Sequence, residues 1–469
     1  MKIESFALAV VLCGTASAAD KEPALPKDLP PYGAMKPLAA PRVIQRKLAN
    51  GLTVWLVPES GFPKVAFALK LRGGYTADPK DRPGFADLLA ATVTQGTASR
   101  SAKQVAEEIA SAGGDLSASA GADSILVDAS VLSSRANKAV ELLADVAGHA
   151  AFADQEVAIA KSNLSASLEA DEASPAFLGR RALYRALFGN HPYAVISPTQ
   201  DSITQTTPAD LRREYARRFR PDRALLVAAG DFSESAMEST IERAFGSWKA
   251  EGEAAPIESG KPAAVISKAV IVVPRPGSVQ TAFYLGTLGP TRPAPDYAAA
   301  RVANAIYGGM FGSRLVNNIR EDKGYTYSPG AAILLNHDAG IVLTRADVRN
   351  AVTGASFNEI VYELNRMATT APGTDEVEHA KRYLLGSLAI QLQSRGAVAR
   401  QLANLWIDSL PPDALASQAE QIAKVTPAEV QAVARKYFPA WRMTVVAVGD
   451  EKVIREELAP FGLEFKNAQ

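Results

Sequence analysis

At 469 residues the chain is too long for one ordinary core, and it predicts two to four domains. A hydrophobic content of 47% and a charged content of 21% are those of a soluble globular protein, which excludes fibrous and low-complexity classes. Lys and Arg total 50 against 50 for Asp and Glu, so the formal net charge of zero gives no footprint for nucleic acid or an anionic membrane surface.

Residues 1–19 read as a cleavable secretory signal: Lys2, an apolar run over 6–13, and the small-residue site Ala16-Ser17-Ala18. The run is too short to span a bilayer, and Leu12 before Cys13 argues against lipid attachment. Cys13 is the only cysteine, so the mature chain has none. That excludes disulfides, cysteine nucleophiles and thiolate metal sites, and fits a periplasmic protein held by core packing alone. Residues 20–42 carry Pro23, Pro26, Pro30, Pro31, Pro37 and Pro41 and read as an extended N-terminal arm.

Order is expected from about residue 43. Spans 46–57 and 65–71 alternate as strands, with Asn50-Gly51 as a hairpin turn in the first. Helices follow over 84–93 and 102–112, then a β-rich stretch over 115–132, then helices over 135–147, 154–172 and 177–188. The stretch 208–218 precedes an apolar strand at 224–229, which closes a first domain at 43–248. Residues 249–264 show no periodicity and read as a linker to a second domain at 265–469.

The second domain repeats the first. Val57-Pro58 and Ala66-Phe67 recur as Val273-Pro274 and Ala282-Phe283, both 216 positions on. Thr207-Pro208-Ala209-Asp210 recurs as Thr426-Pro427-Ala428-Glu429, and Gly230-Asp231 as Gly449-Asp450, both 219 positions on. The conserved order of these matches predicts a duplicated α+β domain, each copy a mainly antiparallel sheet with helices packed on one face.

Chemistry is sparse elsewhere. There is no Gly-x-Ser-x-Gly elbow, and the four histidines, His149, His191, His337 and His379, have no histidine partner one helical turn away. Glu376-Val377-Glu378-His379 is the nearest approach to a ligand cluster, read either as metal-binding or as a solvated helix face. His191 is expected to stabilise a turn, and His149 and His337 to be structural. Residues 311–328 are different. Gly308, Gly309 and Gly312 loosen the approach, Ser313 can cap a short helix with Leu315, Val316 and Ile319 on its apolar face, and Lys323-Gly324 is a helix stop. Tyr325-Thr326-Tyr327 reads as strand, which sets Arg320 and Tyr327 pointing the same way across a tight turn. The plainer reading is a surface arginine paired with Glu321 or Asp322. A phosphate loop is the other reading of 308–313, without the lysine such loops carry.

These motifs resemble the pitrilysin family of zinc metallopeptidases, which includes insulin-degrading enzyme and the mitochondrial processing peptidase. The resemblance runs through Asn50-Gly51-Leu52-Thr53-Val54, Gly73-Gly74, Gly84-Phe85-Ala86, Gly96-Thr97 and His191-Pro192-Tyr193 in the first half. In the second it runs through Gly308-Gly309-Met310-Phe311, Ser313-Arg314-Leu315, Ile319-Arg320-Glu321, Gly324 and Tyr327-Ser328. Active members carry His-x-x-Glu-His after the Gly-Phe-Ala position. Here that window is Asp87-Leu88-Leu89-Ala90-Ala91, and the later glutamate ligand falls near Ala166 or Ser167. The resemblance implies no metal in this chain, with Asp87, Ala90 and Ala91 as degenerate positions. It also implies catalytic roles for Arg320 and Tyr327 in gripping the substrate and stabilising the developing oxyanion, with Gly308, Gly309 and Phe311 binding substrate. The expectation is a zinc-less subunit of a two-chain metallopeptidase, inactive alone, whose homologous partner bears His-x-x-Glu-His and the zinc, and whose substrates are peptides. The alternative is a catalytically inert peptide-binding or scaffold protein of the same fold.

Overall fold

Strand β6, Ala224–Gly230, is buried along its whole length, and its Ala-Leu-Leu-Val-Ala-Ala-Gly sequence offers no polar face. A strand of that kind requires cover on both sides of its sheet. In the computed structural model, which describes residues 33, 38, 40–258, 260–263 and 269–468, that cover comes from both halves of the chain. The expected signal at 1–19 lies outside the described residues, as does the proline-rich arm apart from residues 33, 38 and 40–42. From Leu38 onward the chain is one compact unit.

The first sheet holds β1 (Ile44–Lys47), β2 (Thr53–Pro58), β3 (Lys64–Arg72), β4 (Asp115–Ala120), β5 (Ser124–Leu132) and β6, in the order β1-β2-β6-β3-β5-β4. The second holds β7 (Ala269–Pro274), β8 (Gln280–Gly289), β9 (Gly330–Leu335), β10 (Gly340–Arg349), β11 (Thr444–Gly449) and β12 (Glu464–Asn467), in the order β12-β7-β11-β8-β10-β9. Five strands therefore repeat in the same order, β2-β6-β3-β5-β4 as β7-β11-β8-β10-β9. Both sheets are mixed, with β2 and β6, and β7 and β11, as parallel pairs among mostly antiparallel neighbours. The outermost position is filled differently: β1 runs antiparallel to β2, whereas β12 runs parallel to β7.

Local signals explain much of this. Asn50-Gly51 makes the β1–β2 turn, with Gly51 at φ 98° and the Asn50 side chain bonded to the carbonyls of Phe245 and Trp248 at 2.8 and 2.9 Å. Thr207 with Asp210 and Thr426 with Glu429 form matching capping boxes at the two copies of one helix. Residues 249–258 and 260–263 are neither helix nor strand: Ala255 and Glu258 pair with the Arg217 and Thr76 backbones of the first half at 3.1 and 2.7 Å, and the Gly260 amide donates to Asp338 of the second half at 2.8 Å.

Each sheet packs its own helices on one face, as expected, and receives a helix of the other half on its opposite face. Helix Arg395–Ile407 places Val398, Ala399, Leu402 and Leu405 in one buried cluster with Trp55, Ala68 and Val227 of the first sheet. Helix Pro175–Phe188 places Leu183 and Leu187 in the reciprocal cluster with Ala282, Tyr284 and Val446 of the second. The two helices occupy equivalent places in the repeat, so the halves exchange one element each. Every fully buried Leu or Val contributes about 1.5–3 kcal/mol, which makes this exchange the main tie between the halves. Arg72 of β3 adds to it, donating to the Trp406 and Ile407 carbonyls at 2.6 and 3.2 Å at the negative end of the visiting helix.

Candidate functional site

The segment after residue 304 departs from regular helix twice. Residues Ala305–Gly309 form a π-helical turn, Arg314–Val316 a single α turn capped by the Ser313 hydroxyl at 3.4 Å, and Asn317–Asp322 a second π turn. Wide turns of this kind recur at functional sites because they re-aim side chains that a regular helix would stack. The glycines have steric reasons: a Cβ on Gly308 would lie 2.9 Å from the Ala331 methyl of β9, and one on Gly309 would lie 2.6 Å from the Asn304 amide. Gly324, at φ 61°, ends the helical segment as anticipated.

The strand expected at Tyr325-Thr326-Tyr327 is not formed. The pairing of β9 with β10 starts at Gly330, just past Pro329, which has no N–H to give a ladder. Thr326 instead donates its hydroxyl to the Asp347 carbonyl at 2.7 Å. Tyr327 therefore sits on a loop, 80% exposed.

That loop still brings the two expected residues together. The Arg320 guanidinium carbon lies 4.8 Å from the Tyr327 ring centroid and 4.7 Å from that of Phe311, held between two aromatic faces. Its Nε pairs with Glu321 at 3.2 Å, as the plainer reading anticipated. The terminal amino groups have no partner among the described residues, which leaves planar donors at a cleft of about 270 Å³. Gly308, Gly309, Phe311, Arg320 and Tyr327 all line this cleft.

Two residues outside the expected set support it. Arg314, nearly buried, makes a two-pronged ion pair with Glu376, both bonds 2.7 Å, and so bolts the α turn to helix Thr374–Gln391. On the same helix Tyr383 lines the cleft. The seven-residue spacing from Glu376 to Tyr383, two helical turns, is a sequence signal that marks both for one face. Glu376 and Glu378 are thus engaged by cations, Glu378 by Lys381 at 2.6 Å, which favours the helix-face reading of that cluster. His191 accepts from the Tyr193 amide at 3.2 Å and caps a turn, and His149 pairs with Asp145 at 3.2 Å.

The zinc positions of the first half do not fit a metal. Helix Phe85–Val93 carries Asp87, Ala90 and Ala91. The Tyr75 hydroxyl donates to Asp87, 3.0 Å from each carboxylate oxygen, and burial pushes its carboxyl up to about 7 against that bond. Ala90 is buried, and Ala91 borders a cleft of about 280 Å³ in which Ser167 stands and Glu156 is the one carboxylate. A catalytic zinc needs three protein ligands. Among the described residues no three of His, Cys, Asp and Glu come together to hold one.

Comparison with known proteins matches both halves of the chain to domains of one family. Residues 54–197 match the family described as insulinase (peptidase family M16), and residues 205–384 match the peptidase M16 inactive domain. Zinc protease YmxG of Bacillus subtilis is 27% identical over 348 residues, 74% of this chain and 83% of that protein. A zinc protease of Rickettsia felis is 26% identical over 344 residues, 73% and 82% of the two chains. The crystal structure of a peptidase M16 inactive domain from Pseudomonas fluorescens superposes with a TM-score of 0.81 at 27% identity, covering 87% of this chain and 98% of that one. A protease from Helicobacter pylori, at 19% identity, shares the fold with a TM-score of 0.81, covering 88% and 100%. The two halves together place the chain in peptidase family M16, the pitrilysin-type metallopeptidases, and it belongs to that family.

Proposed function

We propose that this chain is the zinc-less subunit of a two-chain peptidase and supplies Arg320 and Tyr327 to a peptide bound at a homologous partner's zinc. The observation that carries this reading is the asymmetry within one chain. The metal positions have been filled by Asp87, Ala90 and Ala91, while Arg320 is still clamped between two aromatic rings, its terminal donors without a partner among the described residues. Donors held rigidly before the reaction contribute about 3 kcal/mol or more each to a developing oxyanion. Arg320 would grip the substrate carbonyl, Tyr327 would add its hydroxyl, and Gly308, Gly309 and Phe311 would border the peptide. The partner, carrying His-x-x-Glu-His, would bring the zinc and activate water. Export to the periplasm through residues 1–19 belongs to the same reading.

Purification of the tagged chain from its native cell envelope, with zinc analysis of whatever co-elutes, tests it. The expected result is a stoichiometric complex with a homologous zinc-bearing chain, with peptidase activity in the complex and none in this chain alone. A chain that stays alone, or a complex whose activity is indifferent to Arg320 and Tyr327, would support the inert scaffold instead.

A further inference from the structure

The cleft beside Arg320 has a wall that the arginine and tyrosine do not supply. Tyr383, 45% exposed, reaches it from helix Thr374–Gln391. With Phe311 at 64% and Tyr327 at 80% exposure, three large aromatic side chains converge on one small concavity. Gly308, Gly309, Met310, Val316, Ser328 and Pro329 complete the lining, and among the described residues Arg320 is its only charged side chain. A cluster of exposed apolar groups around one polar anchor is the composition of a recognition pocket. At about 270 Å³ the cleft falls below the usual size of sites that enclose a whole small molecule, and suits a single side chain with its flanking backbone. The charge fits too, because donors of Arg320 without partners among the described residues complement a peptide carbonyl next to that side chain.

We infer that Tyr383 is a specificity-determining residue: the cleft it closes seats a large apolar side chain, aromatic or branched aliphatic, of the same peptide whose carbonyl Arg320 takes. This rests on the peptide-handling reading above and adds to it a preference built into the zinc-less chain. Helix Thr374–Gln391 is fixed to the Arg320 segment by Glu376 and Arg314, so the pocket wall and the carbonyl grip keep one spacing.

The test uses two end-blocked glycine-serine decapeptides that differ only in one central residue, Phe or Gly, titrated against the purified chain. The Phe peptide is expected to bind on the order of tenfold more tightly. Tyr383→Ala is expected to reduce that ratio to near unity, Tyr383→Phe to keep it, and Arg320→Ala to weaken both peptides alike. Equal binding of the two peptides, no measurable binding of either, or an unchanged ratio in Tyr383→Ala would overturn the inference. So would a Tyr383→Ala chain that keeps the ratio and loses a partner subunit, because the patch is then a subunit contact. A chain that discriminates but never joins a zinc-bearing partner keeps the pocket and removes the two-chain reading. An active complex without discrimination removes the pocket alone.

Discussion

The guanidinium carbon of Arg320 stands 4.8 Å from the ring centroid of Tyr327, although the two residues lie on a π-helical turn and a loop rather than on a helix and a strand. The contact exists because Gly324 reverses the chain and Thr326 ties the returning loop to Asp347. Phe311 closes the other face.

Arg320, Tyr327 and Phe311 are all at least partly exposed, so alanine at each is expected to change unfolding free energy by less than about 1 kcal/mol. A double-mutant cycle between Phe311→Ala and Arg320→Ala, read by urea denaturation, should show a coupling of about 0.5–1 kcal/mol from the cation over the ring. A coupling of zero would mean the stack is not maintained in solution.

Glu376 is predicted to matter for stability in a way its exposure hides. It is the carboxylate partner of a nearly buried arginine, and Glu376→Ala leaves the Arg314 charge without a counter-ion. The expected loss is about 2 kcal/mol or more, with an unchanged m-value in urea. Glu376→Gln should lose less, since it keeps one acceptor.

Gly179 gives a prediction with an inverted sign. Glycine to alanine inside a helix ordinarily stabilises by about 0.5–1 kcal/mol. At Gly179, on helix Pro175–Phe188, a Cβ would lie 2.3 Å from the Tyr284 ring of the second sheet. Gly179→Ala is therefore expected to destabilise by about 1–3 kcal/mol, measured by thermal or urea unfolding, and a smaller residue at Tyr284 should partly rescue it. The equivalent positions across the repeat are Ala399 and Ala68, a small pair where this one is small against large.

Lys70 predicts a dependence on alkaline pH. Burial pushes it from its ordinary 10.5 down to about 8, and Asp123, Asp408 and Asp128 only partly oppose the shift. Between about pH 8 and 10.5 the unfolded chain binds more protons than the folded one, so stability rises with pH across that window. Below it the buried ammonium is a cost. Lys70→Met should be more stable than the parent at pH 7 and should lose the alkaline rise. Asp123 and Asp408 keep other donors in that variant, Tyr193 at 2.8 Å and Arg292 at 2.7 Å.

Much of the architecture was legible because it is local or repeated. The Asn50-Gly51 turn and the apolar run at 224–229 each carry their structure within a few residues, and the recurrence of Thr207-Pro208-Ala209-Asp210 as Thr426-Pro427-Ala428-Glu429 marked the duplication, although not the capping boxes those residues form. The exchange of helices Pro175–Phe188 and Arg395–Ile407 was not legible, since an apolar helix face states that it is covered and not by which sheet. At the candidate site, motif and spacing led to the expectation that Arg320 and Tyr327 meet, and the structure brings the two side chains together. Phe311 as the second aromatic face, and Arg314 with Glu376 as the bolt, depend on contacts across nine and 62 positions that no short pattern records. The strand wrongly expected at 325–327 shows the limit of β propensity: Pro329 and the Thr326 side chain outweighed it.

The most direct measurement is peptide hydrolysis by this chain assembled with a homologous zinc-bearing partner, comparing the parent with Arg320→Ala and Tyr327→Phe at matched complex concentration. The account predicts that both variants still assemble and that kcat falls by about 10²–10³ for the arginine, with a smaller fall for the tyrosine. Full activity in the double variant, in an intact complex, would contradict it.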